Sequence, residues 1–356
     1  MKKIFALSTL SILATLALSR CSKVSTDSPV PEEAQQEISF QTAYYEGQTK
    51  ADEHGHLELG SNFFVRAYYT GDATWANTTL DNTVLHMKDV EIEKKDNVWK
   101  AKTGTYYWPK AGKLSFFGYT GWAGTKTWGA EKTALFSSVE TIANTSDPMV
   151  ADLALDLSSN PEKTHFVNGV PMLFHHTAAK VAFLAKTKDG DDLGSGEGLK
   201  YVVKINSLST SDMYTKGTYT LNATNATVSG AWSNPAEAKA LSYLSSDQAL
   251  TTTAAELGDK GEVTVLPQSV AGIKAIVKYT IEVYKADGYS ETSTPMATKT
   301  YDNVEVSLAT TNITAWEQNK IYTYTLIISP VDGEITFDPA VANWVAGGSA
   351  DVNVNK

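Results

Sequence analysis

Hydrophobic and polar residues alternate along most of the chain, in short runs separated by turn-forming residues. Alternation with a period of two is typical of half-buried β-strands. The runs predict strands at residues 38–44, 62–69, 98–108, 113–119, 171–186 (two strands with a small-residue bend), 201–208, 218–221, 263–266, 276–284, 304–308 and 322–328. Helical periodicity is best at residues 236–249, after Pro235, with shorter turns at 137–144 and 148–157. This pattern predicts an all-β fold built from antiparallel sandwiches.

The N-terminus differs from this pattern. Lys2 and Lys3 precede an apolar run at residues 4–18, and Cys21, the only cysteine, follows it closely. This order resembles a lipoprotein signal peptide over residues 1–21, which implies a lipidated, palmitate-bearing Cys21. Arg20 departs from that pattern because a small residue is usual there, so ordinary secretion with a free cysteine is the alternative. Residues 22–36 are polar, contain two prolines and are predicted to form a tether.

Length, charge and cysteine content limit the number of domains and the classes of partner and site. The chain has 356 residues and a formal net charge of −10, with 42% hydrophobic residues. This length predicts two domains, which we divide into residues 37–169 and 170–356. There is no basic stripe to neutralise phosphates, which argues against nucleic acid as a partner. A single cysteine excludes an intramolecular disulfide and a cysteine-based zinc site.

Candidate chemistry is sparse. His175 and His176 are neighbours on a predicted strand, so their side chains point to opposite faces, one packed and one exposed, and cannot easily share a metal. His54 and His56, and the acidic loop with Asp189, Asp191 and Asp192, are interpreted as solvated loops, because the acidic spacing does not fit a calcium loop. No nucleophile elbow or phosphate-binding loop is present in the sequence. We therefore expect no catalytic residues, no metal and no cofactor.

An aromatic cluster offers an alternative function. Trp75, Tyr119, Trp122 and Trp128 could bind glycans if their rings were exposed. Packing in the core of a β-sandwich is the competing interpretation for these residues.

Five stretches together resemble the fimbrillins, the pilin subunits of bacterial type V pili. They are YYWPKAGKLSFFGYTGW (106–122), VPMLFHHTAAKVAFLAK (170–186), KGTYTLNATNATVSGAW (216–232), VTVLPQSVAGIKAIVKYTIEV (263–283) and AWEQNKIYTYTLIISP (315–330). The resemblance implies two tandem transthyretin-like β-sandwich domains. It also implies export as a lipoprotein precursor, a fimbrial location on the outer membrane and a role in cell adhesion, with other pilin subunits as partners.

The resemblance also implies a mechanism of assembly by strand exchange. In this family a trypsin-like protease cuts after a basic residue that follows the first strand, and a C-terminal strand of another subunit fills the groove. The removable strand here would carry Ile38, Phe40, Thr42 and Tyr44 on one face, and the cut would follow Lys50, where the family usually has arginine. The candidate donor residues are Phe337, Val341, Trp344, Val352 and Val354, unless they complete the second sandwich instead.

Two alternatives stay open at this point. The protein could be a surface-anchored lipoprotein that binds host or bacterial glycans or proteins. It could also be a tip or anchor fimbrillin that does not polymerise, because the linker ends in Lys50 and the only arginines are Arg20 and Arg66.

Overall fold

The computed structural model describes residues 33–44, 62–122, 125–129, 133–140, 147–188, 193–194, 198–222, 229–258, 261–331 and 333–343. Within them α-helix is limited to five residues, α1 (Thr164–Asn168), and nearly everything else that is regular is strand. The prediction of an all-β fold is therefore confirmed.

The strands before α1 begin ahead of the predicted first strand. In chain order they are β1 (Glu33–Glu37), β2 (Phe40–Tyr44), β3 (Phe63–Gly71), β4 (Val84–Lys95), β5 (Val98–Ala101), β6 (Tyr107–Pro109), β7 (Lys113–Thr120), β8 (Thr125–Gly129), β9 (Thr133–Glu140), β10 (Met149–Ala151) and β11 (Ala154–Leu157). The last residues of the predicted tether thus lie in β1, which pairs with β6.

The strands after α1 are longer on average and include the last described element of the chain. They are β12 (Val170–His176), β13 (Ala179–Thr187), β14 (Leu193–Gly194), β15 (Leu199–Thr210), β16 (Met213–Asn222), β17 (Ser229–Lys239), β18 (Ser242–Leu244), β19 (Gln248–Ala249), β20 (Ala255–Glu256), β21 (Val263–Val265), β22 (Gln268–Ser269), β23 (Lys274–Lys285), β24 (Ala297–Ser307), β25 (Ala315–Trp316), β26 (Lys320–Ile328) and β27 (Ile335–Asn343).

The first sheet closes on itself. Its strands pair in the order β10-β12-β2-β5-β4-β3-β7, and β7 pairs again with β10, so the ring returns to its start; β11 also joins β7. We call this ring the N-terminal barrel. Its interior is packed with buried side chains that include Phe63, Ile92, Trp108, Phe116 and Phe174. A closed ring leaves no open strand edge, which is one way that β-proteins avoid edge-to-edge aggregation.

The second half of the chain forms two facing sheets around a second core. One sheet has β13 at its centre, with β20 and β21 on one side and β26 and then β27 on the other. The other sheet runs β14-β15-β23-β24, with β18 and β19 also on β15. Phe183 and Tyr324 from the first sheet and Val203 and Tyr279 from the second are all part of this core. The β12–β2 and β13–β26 pairs are parallel, which the prediction of antiparallel sheets did not anticipate.

A third sheet connects the two halves. Strands β8 and β9, from the chain before α1, continue onto β16 and β17 in the order β17-β16-β9-β8. Trp122, Tyr219 and Trp232 pack together beside this sheet, and the Trp232 indole N–H donates a 2.6 Å hydrogen bond to the Thr177 carbonyl. The division near residue 169 stays a prediction. The sheets assign β12, which begins at Val170, to the barrel and β13 to the second half.

The predicted helices are wrong. Residues 236–249 lie at the end of β17 and in β18 and β19, while 137–144 begin in β9 and 148–157 contain β10 and β11. The Ala- and Lys-rich composition at 236–240 favours helix locally, but pairing of β17 with β16 overrides that preference. Asn234 and Glu237 have positive φ angles in this strand, which interrupt a regular alternation.

Candidate functional site

The predicted first strand is part of the barrel wall, with a neighbouring strand on each side. β2 runs parallel to β12 over five consecutive pairs, from Phe40 beside Val170 to Tyr44 beside Phe174. On its other side β2 meets β5 at one pair, Phe40 with Trp99. The ring of strands is therefore continuous only while β2 is present.

Two side chains of this segment fill the barrel core. Ile38 and Phe40 are each only 2% exposed. The Phe40 ring makes edge-on contacts with the rings of Phe63 and Phe116, both at 5.9 Å between centroids. Burial of this extent contributes roughly 1.5–3 kcal/mol for each large apolar side chain. The spacing of two residues between Ile38 and Phe40 places both on the inner face, as the alternation predicts.

The next inward position is less well matched. The Thr42 hydroxyl is buried and has no hydrogen-bond partner among the described residues. A buried hydroxyl without a partner costs free energy that a methyl group of similar size would not. The backbone of Tyr44 continues the ladder with β12, while its side chain lies outside the described residues.

A glycine at position 169 allows the backbone of β2 to pass close to the start of β12. Gly169 has φ of 104° and ψ of 159°, a conformation open essentially to glycine alone. A Cβ atom on Gly169 would stand 2.9–3.1 Å from the backbone atoms of Phe40. The neighbouring groups bind the strand: the Val170 N–H donates to the Ser39 carbonyl at 2.7 Å, and the Gln41 amide donates to the Asn168 carbonyl at 2.9 Å. Gly169 was not among the predicted site residues, although an Asn-Gly pair before a strand is a turn signal.

The segment is also held ahead of β2. β1 pairs with β6, and the Ile38 N–H donates to the Tyr106 carbonyl at 2.8 Å. The Lys100 ammonium is 2.6 Å from the Glu37 carboxylate. Residues 33–44 are thus bound as one unit of two short strands, longer than the predicted 38–44.

Part of the predicted donor segment lies at an open edge. β27 pairs with β26 over nine consecutive residues and has no other neighbour among the described strands. Phe337 and Val341 are half-buried against the second core, and the Phe337 ring lies 5.9 Å from that of Tyr324. Pro339 sits in the middle of β27, which suits an edge strand because proline has no N–H to donate. These residues therefore complete their own sheet in this structure.

A cleft lies against the end of the same strand. It has a volume of about 290 Å³, and its walls include Ile313 and Tyr322 as well as Pro339 and Val341. Lys320 and Glu317 also line the cleft. Within the described part of the chain, β27 therefore borders a cleft at this end.

Several predicted residues lie outside the described part of the chain. These are Cys21, Lys50, His54, His56, Asp189, Asp191, Asp192, Trp344, Val352 and Val354. In the described ranges there is no group of three metal-binding side chains and no helix long and apolar enough to cross a membrane.

The two neighbouring histidines have separate environments. His176 is 4% exposed and its Nδ1 lies 2.8 Å from the Asp147 carboxylate. His175 is less buried, and its Nε2 lies 3.0 Å from the Asp152 carboxylate. Each histidine therefore meets a different carboxylate, and His175 is half-buried where one exposed histidine was predicted.

The aromatic residues considered for glycan binding are packed. Trp75, Tyr119 and Trp122 are buried, and Trp128 is half-buried in contact with the same clusters. The interpretation as core residues is confirmed for the three buried rings.

Arg66 lies at the centre of a polar network on the outside of the barrel. Its guanidinium binds both carboxylate oxygens of Asp89, with Nε 3.0 Å from Oδ1, and donates to the Tyr68 hydroxyl at 3.2 Å. The Tyr119 hydroxyl donates to the same carboxylate at 2.9 Å, and Trp128 lies against the guanidinium at 4.7 Å. Burial and the nearby Asp89 carboxylate raise the pKa of Tyr119 above its ordinary value.

Comparison with known proteins identifies the family of this chain. No match was found among curated proteins. A fimbrial protein from Bacteroides vulgatus has a similar structure, with a TM-score of 0.61 and 18% identity over 86% of this chain and 100% of that one. The fimbrial anchor protein Mfa2 from Porphyromonas gingivalis aligns over 86% of this chain and 98% of that one, at 10% identity and a TM-score of 0.31.

The similarity to the Bacteroides vulgatus structure supports the fold. The sequence model described as fimbrillin-like matches residues 49–344, well over half of the chain. The protein therefore belongs to the fimbrillin-like family.

Proposed function

We propose that this protein is a structural subunit of a type V pilus that assembles by β-strand exchange after its first strand is removed. Membership of the family indicates a fimbrial, adhesion-related role at the cell surface, and a structural rather than a catalytic function. It also indicates that the partners are other pilin subunits.

The observation that carries the mechanism is the place of β2 in a closed ring. Removal of β2 would open the barrel between β12 and β5 and would leave a five-residue stretch of β12 without its partner. Release of the whole segment 38–44 would also empty the two core positions filled by Ile38 and Phe40. A strand from another subunit would restore both the main-chain hydrogen bonds and the side-chain packing, as in other cases of β-strand addition.

Release of the strand needs a cut between β2 and β3. Lys50 is the candidate position, for a trypsin-like protease that accepts lysine. Arg66 is a poor alternative because it lies within β3, is only 9% exposed and is bound to Asp89. Before the cut, the precursor is anchored in the outer membrane through a lipid on Cys21, and the tether connects that anchor to the barrel.

Burial of the aromatic residues removes the observation that suggested glycan binding. Trp75, Tyr119 and Trp122 are buried and do not present exposed rings to a sugar. An anchor or tip subunit that keeps its first strand stays as the alternative within the same family.

The test is limited proteolysis of the soluble chain beginning at residue 22. We expect brief treatment with trypsin to cut after Lys50, measured by mass spectrometry, and to start polymerisation, measured by light scattering and electron microscopy. The matched variant Lys50→Gln should resist that cut and stay monomeric. A chain that is cut at Lys50 and loses residues 33–44, yet remains a monomer, would exclude the polymerising subunit and favour the non-polymerising alternative.

A further inference from the structure

The last described strand of the chain resembles, in sequence, the predicted removable strand at residues 38–44. Residues 37–44 read EISFQTAY, and residues 334–341 read EITFDPAV. Four of the eight positions are identical, and serine is matched by threonine at a fifth. The first stretch runs from the end of β1 through Ile38 and Ser39 into β2, and the second lies in β27 except for Glu334; β2 and β27 belong to different sheets.

The two sequences match best at the positions whose side chains are buried in the barrel core. Ile335 and Phe337 have the same types and the same two-residue spacing as Ile38 and Phe40. At the third inward position Thr42, whose buried hydroxyl has no partner among the described residues, is matched by the apolar Pro339. The later strand therefore keeps the two large side chains and removes the unsatisfied polar group.

We infer that residues 335–341 of a second copy of this chain are the strand that replaces residues 38–44, in the same direction and in this register. Ile335 then fills the site of Ile38, and Phe337 fills the site of Phe40. This inference rests on the proposed function, and it names the partner as the chain itself and the donor as β27 rather than residues 344–356.

Burial gives the exchange a direction. Ile38 and Phe40 are 2% exposed in the barrel, whereas Ile335 and Phe337 are only half-buried at the edge of their own sheet. Among the described strands β27 has one neighbour, β26, and the cleft lies against Pro339 and Val341. These two side chains therefore bury more apolar surface in an opened barrel than in their own sheet, which offsets part of the cost of leaving β26.

The backbone accepts the replacement. β5 meets β2 only at Phe40, so the absence of an N–H at Pro339 loses at most one ladder hydrogen bond, on the β12 side. In the opposite direction, with Phe337 still in the Phe40 site, Pro339 would take the place of Ile38. The Ile38 site would then be underfilled and Ile335 would fall at the position of the smaller Thr42, which favours the same direction as β2.

The direction of insertion can be read by cross-linking. In β2, Gln41 lies beside Pro171 of β12, and both are exposed. In the inferred register Asp338 takes the place of Gln41, whereas in the reversed direction Thr336 would lie beside Pro171. Asp338 and Thr336 are both exposed in β27, so cysteines at these positions and at Pro171 should not disturb the fold.

The experiment mixes two variants of the chain from residue 22, which lacks Cys21. One carries Pro171→Cys; the other carries Asp338→Cys or, as the matched control, Thr336→Cys. After cleavage at Lys50, a short bis-thiol reagent should join Pro171→Cys to Asp338→Cys in most assembled subunits, and to Thr336→Cys at least ten-fold less. Uncut Lys50→Gln chains should give neither product.

The outcomes separate this inference from the proposed function. Polymers cross-linked only through Thr336→Cys, or through neither position, would overturn the register or the donor while strand exchange stands. Released strands without any polymer would overturn the proposed function itself. The variant Phe337→Ala provides a second measurement: as a donor it should cut polymer yield at least ten-fold, whereas as an acceptor of wild-type strands it should be unimpaired.

Discussion

At the scale of single residues, Gly169 decides whether the first strand can occupy the barrel. Its φ of 104° and the approach of the Phe40 backbone leave no room for a Cβ. We predict that Gly169→Ala lowers the free energy of unfolding by about 3 kcal/mol, from backbone strain and displacement of β2. Urea unfolding followed by tryptophan fluorescence measures this change.

Gly272 is the matched control for Gly169. It also has a positive φ, 83°, but nothing lies within 4 Å of the Cβ it would gain. Gly272→Ala should therefore cost only about 1 kcal/mol, the conformational part alone. Equal losses for the two variants would mean that the approach to Phe40 is not what requires a glycine at 169.

The ion pair of Arg66 and Asp89 is a second residue-scale test. The Arg66 side chain is 11% exposed and that of Asp89 is 29% exposed. Asp89→Asn keeps a residue that tolerates φ of 50° but leaves the buried guanidinium without its counter-charge. We predict a loss of about 2–3 kcal/mol in the free energy of unfolding, below the full value for a completely buried pair.

The exposed pair of Lys274 and Glu305 serves as the comparison. Its side chains are 44% and 53% exposed, so Glu305→Gln should change the free energy of unfolding by less than about 1 kcal/mol. If Asp89→Asn were equally mild in the same urea titration, the Arg66 network would not stabilise the barrel.

At the scale of elements, β2 and β27 present the same side chains in different surroundings. Phe40 is enclosed by aromatic rings in the barrel, whereas Phe337 lies half-buried on an edge strand. We predict that Phe40→Ala lowers the free energy of unfolding by about 3–5 kcal/mol and Phe337→Ala by about 1–2 kcal/mol. Urea unfolding of the uncut chain measures both, and a larger loss at Phe337 would contradict a loosely held β27.

The elements also show what alternation can and cannot predict. Residues 38–44, 201–208 and 322–328 were predicted as strands because apolar and polar residues alternate there, and 113–119 because it is a short apolar run; the structure contains β2, β15, β26 and β7 at these places. The predicted helix at 236–249 failed because β17 is an exposed edge strand whose form is set by β16. Local propensity carries no information about such a partner.

Long-range pairing set the limit for the site as well. Burial of Ile38 and Phe40 followed from the pattern, but the closed ring depends on β2 meeting β12, about 130 residues later in the chain. Gly169 and the unpaired Thr42 hydroxyl matter only once that contact exists. The likeness of residues 334–341 to 37–44 was readable in the sequence, but its meaning required knowing which positions face the barrel core.

At the scale of the whole molecule, the shared sheet ties the barrel to the second half. β9 pairs with β16 over residues on both sides of a bulge, and Trp122 stacks 5.8 Å from Trp232 across the same junction. Force or strain that reaches one half is therefore passed to the other through main-chain hydrogen bonds and aromatic packing. Such a connection suits a subunit that accepts a strand in one half and lends a strand from the other.

The buried tyrosines give the whole molecule a defined response to alkaline pH. Burial raises the pKa of Tyr119, Tyr219, Tyr243 and Tyr324, and it raises that of Tyr279 to about 12. An unfolded tyrosine ionises near about pH 10. Above that pH the unfolded chain loses protons that the folded chain retains, so the stability contributed below pH 10 is lost as the pH rises towards 12.

We predict that the free energy of unfolding is nearly constant from pH 7 to 9 and falls steeply above about pH 10, by roughly 1.4 kcal/mol per pH unit for each tyrosine that stays neutral in the fold. Urea unfolding at several pH values measures the slope, and tyrosinate absorbance compares titration of the 17 tyrosines with and without urea. Tyr243→Phe isolates one contribution, since the Tyr243 hydroxyl has no hydrogen-bond partner in the described part of the chain. This variant should reduce the slope by one tyrosine without lowering stability at pH 7. An identical tyrosinate titration in the folded and unfolded chains would show that these rings are not protected by the fold.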